Sequence, residues 1–261
     1  MNISLKGKKA LVGGSSDGIG KAIAIQLAEC GASVTLVSRS EDKLKKLLEE
    51  LANTNGQKHQ YILVDYTNFD DYKTKISSFF KTNSIDILVN NTQGPAAGNT
   101  LEKNTEDYQA AFDLLFKNTV FTTELALETM IKKKWGRIIN VASVSVKEPL
   151  SYLALSNTIR AAVVTWGKSL AGDVGPYQIT VNSVLTGFFD TNRIAQLNAS
   201  KAKQLQVPEA QVRHEMEEKV ALKRIGKPEE YGYLVAFLAS DNAAYITGTS
   251  IPIDGGLLKT L

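Results

Sequence analysis

Short strand-like runs alternate with helical or polar segments along almost the whole chain. The runs are KKALVGG, ASVTLVS, HQYILVD, IDILVNN, GRIINVAS and QITVNSV, and TSIPIDGG supplies a last short strand. Strands that alternate with helices form a parallel sheet, and their consecutive apolar positions indicate that helices cover both faces. With right-handed crossovers, the pattern predicts an α/β fold built on a doubly wound parallel sheet.

Length and charge narrow the possible classes. The 261 residues are 43% hydrophobic, which suits one large α/β domain or two small ones, and we interpret residues 1–261 as a single domain. The net charge is +3, and the basic residues are dispersed apart from a run at Lys132, Lys133 and Lys134. That run suits the negative end of a helix dipole, so we expect no nucleic-acid partner.

Other features argue against membranes, disulfides and metals. The beginning, MNISLKGKKALV, lacks the apolar core of a signal peptide, and no apolar run is long enough to span a membrane. Cys30 is the single cysteine and cannot form an internal disulfide, so we expect a cytoplasmic protein. His59 and His214 have no partner at metal-ligand spacing, which predicts no metal site.

Residues 188–226 interrupt the rhythm of strands and helices with a long polar and amphipathic segment. The segment follows a strand whose carboxyl end should face the ligand crevice. A decorative helical insertion is one interpretation, but long excursions inside compact domains are usually functional. We therefore favour a lid that covers the substrate.

The turn after the first strand is rich in glycine. Gly14, Gly18 and Gly20 form the spacing GxxxGxG in VGGSSDGIGKAIAIQLAECGA, before an amphipathic helix. Such glycines permit a tight turn and close approach of the backbone, so that a pyrophosphate can bind at the amino end of the helix. A glycine-rich turn can also simply connect a strand to a helix, but its position after the first strand favours dinucleotide binding.

Several separate motifs carry a resemblance to a known family. They are GGSSDGIG, VDYTN, LVNNTQG, GRIINVAS, ITVNSVLTG and the closing LASDNAAYITGTSIPIDGG. Together they resemble the classical short-chain dehydrogenase/reductase family, especially its 3-oxoacyl-carrier-protein reductase-like members. The resemblance implies a single-domain Rossmann-type subunit, a nicotinamide cofactor and a small-molecule carbonyl or acyl substrate. It also implies a homotetramer assembled through the last strand and two long helices, around residues 110–131 and 152–174.

The end of the second strand indicates which nicotinamide cofactor is used. Ser38 and Arg39 stand where an acidic residue would bind the ribose hydroxyls of NAD, and this pair suits the 2′-phosphate of NADP. Asp17 opposes that preference, because its carboxylate would repel a phosphate. Arg39 can alternatively be a solvated arginine before the next helix. We expect NADP(H).

The resemblance also assigns further cofactor contacts. Asp65 is expected near the adenine and Asn91 near its ribose, although either residue can instead cap the end of its strand. The complete set of expected cofactor-binding residues is Gly14, Ser16, Asp17, Gly18, Ile19, Gly20, Ser38, Arg39, Asp65, Tyr66, Asn91, Arg160, Gly187 and Thr191.

The expected catalytic positions depart from the family pattern. Residues 150–171 are predicted to form a helix that sets Tyr152, Ser156 and Arg160 one turn apart on one face. The resemblance matches Ser143 to the family serine, Ser156 to its tyrosine, Arg160 to its lysine, and Leu115 to its asparagine. Three of those four positions are therefore changed.

These changes alter the expected proton chemistry. A serine hydroxyl is too weak an acid to replace a tyrosine, so Ser156 is a placeholder or a relay. Arg160 can bind the nicotinamide ribose but cannot cycle a proton, and Leu115 removes an amide that would order water. Asn118 can partly substitute for that amide or serve in helix packing.

Tyr152 is the candidate replacement acid. If the helix begins early enough, its phenol could reach the pocket and protonate substrate through Ser156 or water. The alternative is an aromatic residue packed at the beginning of the helix with its hydroxyl in solvent, and we favour that alternative.

The leading hypothesis is an NADP-dependent oxidoreductase that transfers hydride between nicotinamide and a carbonyl or alcohol carbon, with a 3-oxoacyl-type substrate and a non-standard proton step. The alternative is a catalytically impaired NADP-binding pseudoenzyme with a regulatory or structural role. A third hypothesis is isomerisation or elimination on a bound acyl substrate.

Overall fold

The computed structural model describes residues 3–260 and contains one seven-stranded sheet within them. The strand order is β3-β2-β1-β4-β5-β6-β7, and every neighbouring pair is parallel. The order reverses between β1 and β4, which opens a crevice at the carboxyl ends of these strands. The strands are β1 (Lys9–Gly13), β2 (Ser33–Ser38), β3 (Gln60–Leu63), β4 (Ile87–Asn90), β5 (Gly136–Ser143), β6 (Ile179–Thr186) and β7 (Ser250–Ile253).

Helices cover both faces of this sheet. On one face, Ile23, Leu44 and Val235 belong to a single apolar cluster, and Ile76 and Met130 belong to another on the opposite face. The predicted doubly wound sheet is therefore confirmed. The helices are α1 (Gly18–Glu29), α2 (Glu41–Glu50), α3 (Phe69–Thr82), α4 (Thr105–Phe112), α5 (Asn118–Lys133), α6 (Ala154–Val174), α7 (Asn192–Leu205), α8 (Glu209–Lys219) and α9 (Pro228–Leu238).

A π-helical turn joins α4 to α5. It spans Asp113–Lys117, and it buries Leu114 and Leu115. Single π turns within longer helices often lie at functional sites. At the other end, α5 stops at Lys134 in a left-handed conformation, with Lys132 and Lys133 in its last turn, as predicted for the lysine run.

The prediction that a helix runs from residue 150 was wrong at its beginning, because α6 starts at Ala154. Residues 150–153 form a turn that pairs with the loop after β4. The N–H of Gly98 donates to the Tyr152 carbonyl at 2.8 Å, and the N–H of Ala154 donates to the Gly98 carbonyl at 3.1 Å. These long-range bonds compete with the first helical turn, so Tyr152 does not share a helical face with Ser156 and Arg160.

The segment 188–226 contains the two helices α7 and α8 and returns to where it started. The N–H of Gly226 donates to the Phe188 carbonyl at 2.9 Å, and the N–H of Asp190 donates to the Gly226 carbonyl at 2.9 Å. The guanidinium of Arg213 binds both carboxylate oxygens of Asp190, at 3.0 and 3.1 Å. The segment is thus a closed excursion placed at the carboxyl edge of the sheet.

No helix within residues 3–260 is long and apolar enough to cross a membrane.

Candidate functional site

The glycine-rich turn between β1 and α1 adopts a backbone that suits glycine. Gly14 and Gly18 have φ values of 54° and 51°, in the left-handed region that residues with a Cβ rarely occupy. A Cβ on Gly20 would lie 2.1 Å from the carbonyl oxygen of Gly14. The turn therefore closes tightly on the beginning of α1, where helical N–H groups have no carbonyl partners.

Asp17 caps α1 and is itself partnered. Its carboxylate accepts hydrogen bonds from the N–H of Gly18 at 2.7 Å, from Lys43 at 2.9 Å and from Asn192 at 2.7 Å. Burial by itself raises the pKa of Asp17, but these partners outweigh it and the net pKa is lowered. The Lys43 ammonium offsets the charge that the sequence suggested would repel a phosphate.

Two side chains hold the glycine-rich turn from behind. Asn91, which follows β4, donates from Nδ2 to the carbonyl of Gly13 at 3.0 Å. The phenol of Tyr66 accepts from the N–H of Gly14 at 3.3 Å, and burial raises the pKa of this phenol well above its ordinary value. Asn91 therefore spans the crevice between β4 and β1, and Asn91 and Tyr66 both fix the shape of the turn.

The end of β2 presents hydroxyl groups and one free cation. Ser38 is buried, and its hydroxyl lies 2.8 Å from that of Ser16. Arg39 is exposed and forms no ion pair within the part of the chain that the structure describes. Asp65 accepts from the N–H and the hydroxyl of Thr67, bonds that lower its pKa, and Arg39 adds a smaller lowering. Asp65 thus caps its own strand end, the alternative that the sequence left open.

Strand β5 and helix α6 carry Ser143, Ser156 and Arg160. Ser143 ends that strand, and its hydroxyl accepts from the N–H of Ser145 at 3.1 Å. Ser156 is buried in α6, and Arg160 one turn later donates from Nη1 to the Val141 carbonyl at 2.5 Å. Burial lowers the pKa of the Arg160 guanidinium, yet an arginine remains a cation in this setting.

Leu115 is buried among apolar side chains. It packs in one cluster with Leu155 and Ile159 of α6, so no polar side chain stands at this position of the π turn. Asn118 donates from Nδ2 to the Tyr66 carbonyl at 2.8 Å and to the Leu114 carbonyl at 3.1 Å. These bonds agree with a packing role for Asn118, one of the two alternatives that the sequence left open.

The segment 188–226 contacts both sides of the crevice. Asn192 reaches the carboxylate of Asp17 on the α1 side, as described above. On the other side, Arg193 donates from Nη2 to the Pro95 carbonyl at 3.1 Å, in the loop after β4. The first turn of α7 therefore bridges the two walls of the crevice.

Gly187 and Thr191 connect this segment to the sheet and to the glycine-rich turn. The N–H of Gly187 donates to the Ile253 carbonyl at 3.1 Å, and a Cβ there would lie 2.6 Å from the Cα of Asp254. Thr191 caps α7, and its Cγ2 lies 3.0 Å from where a Cβ of Gly18 would stand. Both residues connect the segment 188–226 to the elements around the crevice, and half-buried Ile19 packs against the core.

Metal ions bind to sets of ligating side chains. Among residues 3–260, no group of three or more histidine, cysteine, aspartate or glutamate side chains could hold a metal ion.

Comparison with known proteins shows the family to which this chain belongs. Residues 14–258 match the sequence family described as enoyl-(acyl carrier protein) reductase. The chain belongs to the short-chain dehydrogenase/reductase family. It is 32% identical over 258 residues to the 3-oxoacyl-[acyl-carrier-protein] reductase of Aquifex aeolicus, covering 98% of this chain and 100% of that protein. It is 31% identical to the NADPH-dependent reductase BacG of Bacillus subtilis, covering 97% and 99%.

A solved reductase structure shows the same fold. L-sorbose reductase from Gluconobacter frateurii, complexed with NADPH and L-sorbose, superposes with a TM-score of 0.92 at 30% identity, covering all of both chains. The family resemblance and the fold predicted from the sequence are therefore both confirmed.

Tyr152 stands outside the helix that carries Ser156 and Arg160 in this short-chain dehydrogenase/reductase. It stands in the turn before α6, with 44% of the residue exposed. Partial burial raises the pKa of its phenol. The structure thus agrees with an aromatic residue at the beginning of the helix rather than with a donor aligned with Ser156.

Sequence reasoning missed three residues at this dehydrogenase/reductase site. Thr186 ends β6 as the register partner of Ser143, and its hydroxyl lies 3.1 Å from that of buried Tyr231. Asn192 binds Asp17 across the crevice. The strand end in ITVNSVLTG was a signal for Thr186, but nothing local marked Tyr231 or Asn192, because their partners are distant in sequence.

Proposed function

We propose that the protein is an NADP-dependent oxidoreductase that transfers hydride between nicotinamide and a carbonyl or alcohol carbon of an acyl-type or extended substrate. The observation that carries the proposal is that the glycine-rich turn after β1, Ser143 at the end of β5, and Arg160, which binds the Val141 carbonyl of β5, lie along the carboxyl edge of the sheet. The cofactor supplies the hydride when it is bound. The protein therefore has to bind the cofactor and substrate, orient them, and exclude water.

The residues present fit the cofactor. The turn has left-handed backbone at Gly14 and Gly18, and the N–H groups of Ile19 and Gly20 at the beginning of α1 suit a pyrophosphate. Exposed Arg39 and the hydroxyl of Ser38 suit a 2′-phosphate, with Lys43 nearby as the partner of Asp17. BacG and L-sorbose reductase, both described with NADPH, support the same preference.

Three residues of the chain have separate proposed roles toward cofactor and substrate. Arg160 holds the nicotinamide ribose by hydrogen bonds and stays protonated. Ser143 binds the substrate oxygen. Ser156 does not act as the acid, because an aliphatic hydroxyl is a weak proton donor, so the proton step differs from one that uses a tyrosine beside a lysine.

The segment 188–226 serves as the lid over substrate and cofactor. Its contacts with Asp17 and Pro95 support this role, because they join the two walls of the crevice. A lid that bridges both walls excludes water from the hydride path.

The protein is further proposed to assemble as a homotetramer. Phe112 is 38% exposed; its ring stacks on Phe116 with 5.0 Å between centroids, and Phe116 lies edge-on to Trp166 of α6 at 6.0 Å. This aromatic row joins α4, the π turn and α6 on the surface, where a second copy would cover it. Strand β7, at an edge of the sheet, is the other expected contact.

A catalytically impaired NADP-binding protein is the second candidate, favoured by the burial of Ser156 and by the apolar cluster around Leu115. The experiment that separates the two is a stopped-flow assay of NADPH oxidation with a 3-oxoacyl thioester, together with calorimetric titration of NADPH. Binding with oxidation supports the oxidoreductase. Binding without oxidation across a panel of carbonyl compounds supports the second candidate.

A further inference from the structure

Three hydroxyl groups line up at the carboxyl edge of β5 and β6. Ser143 and Thr186 are register partners on these parallel strands, whose backbones lie about 4.8 Å apart. The hydroxyl of Thr186 lies 3.1 Å from the phenol of Tyr231. Ser143, Thr186 and Tyr231 thus form a hydroxyl row.

All members of the hydroxyl row lie on the same face of the sheet. Val141 and Val184 belong to the apolar cluster that contains Tyr231. Side chains alternate along a strand, so Ser143 and Thr186, two residues further along, project to that face as well. The row therefore runs from the expected substrate-binding serine into the interior.

Tyr231 is a buried phenol, and the neighbouring strand β5 binds the Arg160 guanidinium. Tyr231 is fully buried, and the ring of Phe189 meets it edge-on at 5.3 Å between centroids. Its hydroxyl lies 3.4 Å from the carbonyl of Val184, and the carbonyl of Val141, the register partner of Val184, accepts from Arg160.

The titration of Tyr231 reflects these neighbours. Burial raises the pKa of the Tyr231 phenol and outweighs the bond to Thr186 and the charge of Arg160, which lower it, so the net pKa lies above its ordinary value. A phenol remains a stronger acid than an aliphatic hydroxyl such as that of Ser156.

We propose that Thr186 donates a hydrogen bond to the substrate oxygen and that Tyr231 is a positioning residue that orients this hydroxyl and moves a proton through it. The inference rests on the proposed function. As hydride reaches the carbonyl carbon, the C=O π pair becomes a lone pair on oxygen. That oxygen takes the proton of Thr186, which takes the proton of Tyr231. The phenolate remains near Arg160, and water returns the proton through Thr186 after the product leaves.

The first test is single-turnover oxidation of NADPH by Tyr231→Phe and Thr186→Val, with Tyr233→Phe as the control. Tyr233 lies on the same helix and is 58% exposed. We expect the hydride-transfer rate of the first two variants to fall at least about 10²-fold, with NADPH affinity unchanged and the solvent isotope effect lost. Thr186→Ser, which retains a hydroxyl, should restore most of the rate.

The double variant Tyr231→Phe, Thr186→Val supplies a second readout. The double variant should be no slower than the slower single variant, because both residues serve one relay. A wild-type rate in Tyr231→Phe, or an equal loss in Thr186→Ser and Thr186→Val, overturns the proposal.

A crystal structure with NADP⁺ tests the position of Thr186 independently of turnover. Thr186 Oγ1 should lie within about 6 Å of nicotinamide C4, the sum of a near-attack distance and one hydrogen bond. A much longer distance overturns the role of Thr186 even if the protein is an active reductase. If none of the carbonyl compounds tested leads to oxidation of NADPH by the wild-type protein, the proposed function fails. The distance from Thr186 to nicotinamide C4 still tests the placement of Thr186 in that case.

Discussion

The side-chain amide of Asn192 donates a hydrogen bond of 2.7 Å to the carboxylate of Asp17. It joins the first residue of α7 to the residue that caps α1, across the crevice where the dinucleotide is proposed to bind. This bond keeps the segment 188–226 against the glycine-rich turn.

Removal of the Asn192 amide should speed cofactor release. In Asn192→Ala we expect the dissociation rate of NADPH to rise about three- to tenfold, the equivalent of one hydrogen bond to a charged group weakened by solvent. Stopped-flow fluorescence measures the rate. Gln196→Ala, an exposed position of α7, is the matched control, and an unchanged rate in Asn192→Ala would show that the bond does not retain the cofactor.

Arg39 should determine the preference between the two nicotinamide cofactors. Arg39→Ala is expected to weaken NADPH binding at least about tenfold, because a charge-assisted contact with the 2′-phosphate is lost. NADH affinity should stay the same and serves as the internal control in the same calorimetric titration. An equal loss for both cofactors contradicts the assignment.

Glu230 gives a prediction about stability and pH. The Arg224 guanidinium, which binds both carboxylate oxygens, lowers the pKa of Glu230 from 4.5 to about 2. The unfolded chain therefore binds this proton first as pH falls, so the stabilising contribution is complete above pH 4.5 and is lost between pH 4.5 and about 2.

Glu230→Gln should accordingly lower the free energy of unfolding by about 0.5–1 kcal/mol at pH 7, a value reduced by solvent screening. Urea unfolding at pH 7, 5 and 3.5 measures the difference from wild type, which should shrink at the lowest pH. Glu229→Gln, at the neighbouring exposed position, should have little effect at any pH. A difference that does not depend on pH would refute the account.

Phe112 tests the proposed assembly. Phe112→Glu places a charge on the aromatic row, which should disfavour contact with a second copy, so light scattering should report a smaller species than for wild type. The control is Leu205→Glu, at an exposed position of α7. A wild-type protein that is monomeric at micromolar concentration contradicts the tetramer outright.

Local sequence patterns predicted the sheet well because each strand carries its own apolar run. The glycine-rich turn was predicted equally well, since the left-handed backbone at Gly14 and Gly18 needs glycine at those positions. These features depend on residues that are close together along the chain.

Long-range contacts account for what the sequence did not predict. The beginning of α6 was misplaced because Gly98 pairs with Tyr152 and Ala154, and that pairing replaces the first helical turn. Tyr231 lies 45 residues from Thr186, and Asn192 lies 175 residues from Asp17. No local pattern could reveal such partners.

Arg160 and Ser156 should separate binding from turnover. Arg160→Ala is expected to weaken NADPH binding about tenfold or more, because it removes a half-buried cation proposed to hold the ribose. Ser156→Ala should leave affinity nearly intact and reduce turnover only modestly, since the serine is not the acid. Complete loss of turnover in Ser156→Ala with normal NADPH binding would show that the serine is catalytic.

The most direct measurement of the central claim is the transfer of an isotope label. The protein is incubated with NADPH deuterated at C4 and a 3-oxoacyl thioester, and the product is analysed by mass spectrometry. The account predicts a hydroxyacyl product that carries one deuterium on the former carbonyl carbon, with one NADP⁺ formed for each product molecule. If NADPH binds but no deuterium appears in any product across a panel of ketones, the claim of hydride transfer is contradicted.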